Sequence, residues 1–316
     1  MQAGIAAHQS VRDNKFAAAI DLGSNSFHIL VAEFINGHMQ PVHCWGEKIQ
    51  LAEGLNEHSR LSTDAKQRAF DCLTRFAEAI AGVPVEQVRV VGTHALRCAA
   101  DSSEFIEEAE KLLGVPIEVI SGEQEARIIY KGVRARKKAK KEPGAESTLV
   151  IDIGGGSTEM ILGQGDEILH CVSLPMGCVS YSQRYFPNQC CDHDSFARSV
   201  AALKVDLVPL RETYAAQHWQ DAIGTAGTAQ AIESVLMAKG WVSKGISRAG
   251  LGKFAALLCE GGSVEALQLK GLTQERFDIV TAGVAIMLTV FQVFDIEYLE
   301  VSADSLREGL IYSLQP

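Results

Sequence analysis

The stretch Ile20-Asp21-Leu22-Gly23-Ser24-Asn25-Ser26 returns in the second half of the chain as Ile151-Asp152-Ile153-Gly154-Gly155-Gly156-Ser157. An apolar run precedes each copy, Ala17-Ala18-Ala19 in one and Thr148-Leu149-Val150 in the other. A second apolar stretch follows each, Phe27 to Phe34 and Met160 to Leu162. That order reads as strand, tight turn, strand, with an Asp closing the first strand and small residues in the turn. Two copies predict two related lobes. Each directs one carboxylate and one ring of backbone N–H groups at a common cleft, and such a cleft suits a polyphosphate held with a divalent cation.

The chain has room for two lobes. At 316 residues it can bury two substantial cores, and 47% hydrophobic with 22% charged residues is the composition of an ordinary globular protein. The first fourteen residues lack the apolar core of a signal peptide. The longest apolar run, Ile279 to Phe294, is interrupted by Thr281, Gly283, Thr289 and Gln292, and reads as a buried helix too short to span a bilayer. The eight cysteines show no framework spacing and no C-x-x-C, which points to reduced thiols in a cytoplasmic protein. Cys190-Cys191-Asp192-His193-Asp194 has metal-ligand residue types, but adjacent thiols bridge a metal awkwardly and Asp194 reads as the cap of the next helix.

A net charge of −10 argues against binding a nucleic acid duplex, so a polyanionic ligand needs locally placed cations. Six of the eight residues from Arg134 to Lys141 are Lys or Arg. They read first as a solvated linker and second as a basic rim that steers an anionic chain.

The expected organisation is a first lobe over 1–134, a basic linker over 135–146 and a second lobe over 147–316, with a terminal helix over 304–316 that packs back on the first. The first lobe reads β-β-β-α-β-α-β-α. Its third strand is expected near His43 to Ile49. Its first helix runs from about Thr63 to Ile80 behind a Ser62 or Thr63 cap, with Ala65, Ala69, Leu73, Phe76 and Ile80 at helical spacing. A strand over Val88–Gly92 follows, then a helix over Ser103–Leu113 that stops at Gly114, a strand over Ile117–Ile120 and a helix over Glu123–Arg134. In the second lobe, helices are expected over Ser195–Ala216, Thr228–Met237, Gln274–Phe294 and Ser305–Leu314, with a strand over Tyr298–Ser302. Mixed strands and helices in two similar halves make an α/β protein with a site between the lobes.

Gly154-Gly155-Gly156-Ser157-Thr158 lets the backbone approach an anion closely, and successive N–H groups in such a turn form an anion-binding nest. There is no P-loop, Rossmann fingerprint or G-x-S-x-G elbow. The specific signal lies in the carboxylates: Asp21 and Asp152 end equivalent strands, and Glu159 lies on the strand leaving the second turn. Any one of them can serve a turn. Three converging charges cost several kcal/mol unless compensated, more than a turn hydrogen bond of about 1 kcal/mol returns. A hard divalent cation resolves this, and Mg²⁺ held through one or two carboxylates, waters and phosphates fits best, with Mn²⁺ as an alternative.

Glu125, just inside a helix start, either favours the helix dipole, as Glu123 does, or faces the cleft and takes a proton from an attacking water. Cationic candidates are Arg97, four residues past Thr93, and Arg276 and Arg307; Arg127 faces away from Glu125. Gly224-Thr225-Ala226-Gly227-Thr228 is a further strand-turn-helix junction whose N-terminus suits phosphate.

Ala19-Ile20-Asp21-Leu22-Gly23-Ser24-Asn25-Ser26-Phe27-His28, Ile120-Ser121-Gly122 with Glu125-Ala126, Ile151 to Glu159, and Leu306-Arg307-Glu308-Gly309-Leu310 together resemble the exopolyphosphatase/guanosine pentaphosphate phosphohydrolase family. The resemblance runs from about Ala17 to Leu310, with the motifs in the family's order. It implies the actin-like ATPase superfamily fold, two ribonuclease-H-like lobes with the active site between them. It also implies Mg²⁺-dependent release of the terminal phosphate of inorganic polyphosphate or guanosine pentaphosphate. By motif match Glu125 takes the place of the catalytic base, Asp152 that of the essential turn aspartate and Glu159 that of the metal-associated acid. Two departures stand out. Asp101 occupies a position where the family usually has Asn, which places an anion near the Thr93 and Arg97 segment. The sequence also ends at Pro316, short of the helical domains of longer members that are associated with holding long polyphosphate chains.

The expected mechanism is direct hydrolysis. Backbone groups of Ser24 to Ser26 and of Gly154 to Thr158, with Thr93, Arg97, Gly227 and Arg276, bind phosphate. Asp152, Glu159 and Asp21 hold the metal, and Glu125 activates water. Two other readings stay open: a phosphotransferase of the same fold, and a non-catalytic binder of guanosine tetra- or pentaphosphate. A homodimer is compatible with the two-lobed form, and no membrane partner is expected.

Overall fold

The computed structural model describes residues 15–35, 38–139 and 147–314. The first lobe contains β1 (Phe16–Leu22), β2 (Ser26–Ile35), β3 (His38–Lys48), α1 (Thr63–Ile80), β4 (Val88–Gly92), α2 (His94–Cys98), α3 (Ser102–Leu113) and β5 (Ile117–Val119), followed by α4 (Gly122–Ala139). Its sheet runs β3-β2-β1-β4-β5, with β1 antiparallel to β2 and parallel to β4. The second lobe repeats this order. It contains β6 (Ser147–Ile153), β7 (Thr158–Gln164), β8 (Glu167–Leu174), α5 (Cys178–Tyr185), α6 (His193–Leu207), β9 (Asp221–Thr225) and α7 (Ala226–Ala238). β10 (Ile246–Ser247), α8 (Arg248–Gly261), α9 (Val280–Phe294), β11 (Tyr298–Val301) and α10 (Leu306–Ser313) complete it. The strands lie in the order β10-β11-β9-β6-β7-β8. These are the two related lobes that the duplicated phrase predicts, with the ribonuclease-H-like form that the family resemblance implies.

Strand parity places the two aspartates. Side chains alternate between the faces of a sheet. In β1, Ala18, Ile20 and Leu22 enter the first lobe's own core, while Ala17 and Ala19 face a separate apolar layer shared by both lobes. Asp21 has the parity of Ala17 and Ala19. In β6, Leu149, Ile151 and Ile153 enter the second core, and Val150 faces the shared layer. Asp152 has the parity of Val150. Both carboxylates therefore lie on the sheet faces turned toward the other lobe.

The shared layer is built by α4 and α10, which pack on one another; α4 lies on β7 and β8, and α10 on β1 and β2. Ile129, Tyr130, Val133, Leu310 and Ile311 are buried there, and each aliphatic side chain so buried contributes about 1.5–3 kcal/mol. The helices cross closely. A Cβ on Gly132 would lie 2.9 Å from Gly309 N, and one on Gly309 would overlap Ile128 O.

Some element bounds differ from expectation. The helix expected from Glu123 to Arg134 continues to Ala139, so the basic stretch is not a solvated linker there. Its cations tie α4 to the second lobe instead: Lys137 Nζ lies 2.8 Å from Asp221 Oδ2, Arg136 Nη1 3.5 Å from Asp304 and Lys138 Nζ 2.6 Å from Asp166. Residues 140–146 lie outside the described residues. α6 ends at Leu207, where a 3₁₀ turn containing Pro209 begins. α9 begins at Val280 because Ile279 adopts φ −123°, ψ −13°, which separates it from the turn at Gln274–Arg276. The cap of α6 is Asp192, not Asp194; its carboxylate accepts from Ser195 N at 2.6 Å. Cys191 Sγ packs 3.6 Å from Cys259 Sγ. No helix among the described residues is long and apolar enough to cross a membrane.

Candidate active site

The two turns meet face to face. A Cβ on Gly155 would lie 3.0 Å from Ser24 Cβ and 3.1 Å from Asn25 N, close enough that the facing turn would have to give by a few tenths of an ångström. The cleft they bound has a volume of about 100 Å³. Its walls include Asp21 with Ser24, Asn25 and Ser26 from the first lobe, and Asp152 with Gly154, Gly155, Gly156 and Ser157 from the second. Thr93, Glu125, Gly227 and Arg276 also line it.

Three expected residues do not line the cleft. Arg97 stands behind Glu125, where its Nη1 donates to Glu125 Oε2 at 2.8 Å and to Ile120 O at 2.9 Å. Thr158 turns its hydroxyl to Met176 O at 2.6 Å. Glu159 is fully buried behind the wall and accepts from Ser173 Oγ at 2.7 Å. Arg307 is also outside, with Nη1 3.4 Å from Cys44 Sγ. Asp101 is a structural residue: it is buried, accepts from Leu61 N at 3.0 Å and pairs with Lys66 Nζ at 2.7 Å. It braces the loop before α1 and is not an anion at the cleft.

Several site residues escape sequence reasoning. Asp152 Oδ2 accepts two hydroxyls, from Thr225 Oγ1 at 2.5 Å and from Ser305 Oγ at 2.6 Å. Thr225 carries a signal: it lies opposite Asp152 in the parallel β6–β9 ladder. Ser305 carries none, because it reaches the site only through the α4–α10 crossing. His28 and His94 line the cleft, and His28 Nδ1 lies 3.9 Å from Asp21 Oδ2. Ala226 sits in the wall at φ +61°, a strained value for a residue with a Cβ; such strain clusters at ligand sites.

The electrostatics are those of crowded acids. Burial, with Glu125 and then Asp152 nearby, lifts Asp21 to about 8 despite Arg307. Burial lifts Glu125 to about 7, against the hydrogen bond and charge of Arg97. Asp152 is raised by burial, with Ser305 and Thr225 opposing. Glu159 is raised well above the carboxylate range by burial and by Glu125 and Asp152. His28 is pushed down to about 3 by burial, Arg307 and Arg276, and so stays neutral. Asp21 Oδ1, Ser24 Oγ, Asn25 Oδ1 and Glu159 Oε2 are buried without a hydrogen-bond partner.

Orphaned acidic oxygens with raised pKa values are what a carboxylate site awaiting a cation presents. Yet no three His, Cys, Asp or Glu side chains among the described residues are grouped closely enough to hold a metal by themselves. The expected joint ligand set of Asp152, Glu159 and Asp21 is therefore not drawn together. The donors present fit a hard cation that takes one or two carboxylates and completes its shell with water and phosphate.

The model of the Ppx/GppA phosphatase family matches residues 30–316. The guanosine-5'-triphosphate,3'-diphosphate pyrophosphatase of Vibrio vulnificus (strain YJ016) is 40% identical over 297 residues, which cover 94% of this chain and 59% of that protein. Its counterpart from Vibrio cholerae serotype O1 (strain ATCC 39541) is 41% identical with the same coverage. The chain thus spans 59% of the length of the curated relatives it matches. Among solved structures, the Aquifex aeolicus Ppx/GppA enzyme superposes with a TM-score of 0.77 at 26% identity, covering 94% of this chain and 99% of that one. An exopolyphosphatase from Cytophaga hutchinsonii shares the fold with a TM-score of 0.83 at 24% identity, covering 95% and 97%.

Proposed function

The chain belongs to the Ppx/GppA phosphatase family, and from that premise we propose that it hydrolyses the terminal phosphoanhydride of guanosine pentaphosphate or inorganic polyphosphate. The observation that carries the reading is Glu125: a buried carboxylate in the cleft wall, held by Arg97, with a pKa of about 7. A general base works best when its pKa lies near the operating pH. The names of the curated relatives support a nucleotide substrate, and that of the Cytophaga neighbour a phosphate chain; both substrates end in a phosphoanhydride.

Glu125 accepts the proton of a water aimed at the terminal phosphorus, and Arg97 holds its carboxylate in place. The backbone of Gly154 to Ser157 and that of Ser24 to Ser26 cradle the terminal phosphates, with Thr93, Gly227 and Arg276 on the flanks. Thr225 and Ser305 hold Asp152 in one orientation. Mg²⁺ or Mn²⁺, when bound with the phosphates, would offset their charge; the carboxylates of the cleft wall, Asp152 and Asp21 across from it, are those that would hold it. The leaving group is a stable phosphate anion, so positioning and electrostatics do most of the work. The eight free cysteines are in keeping with a cytoplasmic setting.

The test is phosphate release with no acceptor present, measured as kcat/KM on guanosine pentaphosphate, short polyphosphate and long polyphosphate. Release identifies a hydrolase; binding without release identifies a sensor. Glu125→Gln is expected to lower kcat by about 10²- to 10⁴-fold with substrate still bound. Turnover near wild type would remove Glu125 from the role of base.

A further inference from the structure

A second cavity, of about 650 Å³, lies on the flank of α4 away from the cleft. Arg127, Lys131, Arg134 and Lys138 line it. They stand two, six, nine and thirteen positions after Glu125 on one helix. At about 100° per residue they fall roughly 180–240° around the helix from Glu125, in a stripe ~17 Å long. Tyr130, Ile168 and Tyr312 supply apolar and aromatic wall, and His38 also lines the cavity. The chain as a whole carries a charge of −10, so four cations in one concavity are a local reversal of its field.

The ion pairs divide the stripe. Arg127 Nη2 is engaged by Glu123 at 2.8 Å. The carboxylate of Asp166, the one acid in the wall, serves both Lys138 at 2.6 Å and Arg134 at 3.7 Å. Lys131 is exposed and makes no ion pair among the described residues. Asp166 thus occupies the place that an external anion would take between Arg134 and Lys138, in a cavity that Lys131 also lines.

We propose that this groove is a second, non-catalytic binding site for a polyphosphate anion, contacted by Lys131 and Lys138, with Asp166 as the intramolecular anion that the ligand displaces. The length of the stripe suits several linked phosphates better than one. Those phosphates come either from an inorganic chain or from a nucleotide, whose base would then lie on the tyrosine wall. The site is independent of whether the cleft is hydrolytic.

The test is calorimetric titration of the full chain in metal-free buffer with tripolyphosphate, GTP and orthophosphate. Wild type is expected to bind tripolyphosphate saturably, and orthophosphate at least tenfold more weakly. Lys131→Glu weakens tripolyphosphate at least tenfold, and Lys131→Arg restores it. Asp166→Asn, by releasing Lys138, tightens it severalfold, a sign that simple structural damage would not give. Gly155→Ala, placed in the cleft, leaves it in place. Equal affinity for GTP assigns the groove to the phosphate chain, and tighter GTP assigns it to a nucleotide. The proposal is overturned by absence of saturable binding, by orthophosphate binding as tightly as tripolyphosphate, by affinity indifferent to both charge changes, or by binding that only Gly155→Ala removes.

Discussion

The first and second turns share a backbone and differ in nearly every functional atom. Asp21 and Asp152 stand at the same strand end, and seven residues on, directly across the antiparallel ladder, stand His28 in one lobe and Glu159 in the other. Where the first turn has Ser24 and Asn25, the second has Gly155 and Gly156. Asp152 is held by two hydroxyls, while Asp21 Oδ1 has no partner. Like charges directly opposite on a ladder destabilise it, so Asp152 with Glu159 calls for a cation or a proton, whereas Asp21 with a neutral His28 is milder. A duplicated scaffold has kept its geometry and divided its chemistry: side chains on one wall, bare backbone and paired acids on the other.

Putting a methyl group on the bare wall attacks that division directly and carries the largest effect expected of changes to the two turns and their supports. Gly155→Ala presses its Cβ against Ser24 and Asn25, so the turns must part by a few tenths of an ångström; since a displacement near 1 Å at a reacting centre costs about 100-fold, a loss of roughly ten- to 100-fold is expected. Gly154→Ala meets one atom, Ser157 O at 3.3 Å, and is expected to lose much less. Steady-state kcat/KM of both variants measures the contrast. Equal losses would mean that the close approach of the turns is incidental.

Next in size is the support of Asp152. Ser305→Ala and Thr225→Val each remove one hydroxyl from Oδ2. Hydrogen bonds to charged groups contribute about 1.5–3 kcal/mol, so each variant should lose roughly tenfold or more in kcat/KM. The double variant should lose less than the product, because both hydroxyls hold the same oxygen. Activity unchanged in either single variant would place the orientation of Asp152 elsewhere.

Asp21 should show itself in stability more than in rate. Its folded-state value of about 8 lies above the ordinary 3.8. A raised carboxyl contributes stability that is fully present below about pH 4 and lost as pH rises through 8. Metal-free wild type should therefore lose Tm between pH 5 and 8.5, and Asp21→Asn should flatten that fall. The gain at pH 8 is expected to be a few degrees, at about 2–4 °C per kcal/mol for a chain somewhat under this size. The other raised acids titrate with it, so the slope belongs to the cluster. Adding Mg²⁺ at pH 8 should raise the wild-type Tm more than that of Asp21→Asn. Parallel pH curves for the two proteins would show that Asp21 is not a charge-burial site.

Much of this is legible in the residues themselves. The repeated strand–turn–strand phrase places Asp21 and Asp152 at equivalent strand ends beside a common cleft, whereas the matching places of His28 and Glu159 opposite them emerge only from the ladders. α1 keeps the bounds its periodicity predicts. What is not legible depends on tertiary approach. Ser305 reaches Asp152 because two helices cross at glycines. Arg97 turns to Glu125 and the Ile120 carbonyl, and Asp101 turns to Lys66 and the Leu61 N–H. The basic stretch misleads because charge density in sequence does not reveal a helix whose cations find partners on another lobe. β8 and α8 also lack a pattern strong enough to be anticipated.

The smallest effect tests whether lobe closure, apart from the asymmetry of the turns, matters to the chemistry. Lys48, at the end of β3, places Nζ 2.7 Å from Asp278 Oδ2 of the second lobe, two residues beyond Arg276 of the cleft wall. Both side chains are 23% exposed, and a pair so placed is worth at most about 1 kcal/mol and weakens with salt. Lys48→Met should lower Tm by only a few degrees. Arg276 would then be held less firmly, so KM should rise severalfold with kcat nearly unchanged, and the difference from wild type should shrink at high ionic strength. Binding that weakens equally in the ground and transition states gives that split. A matching fall in kcat would instead mean that the lobes must be clasped for the two unlike turns to act together, and the comparison would then have to include the clasp.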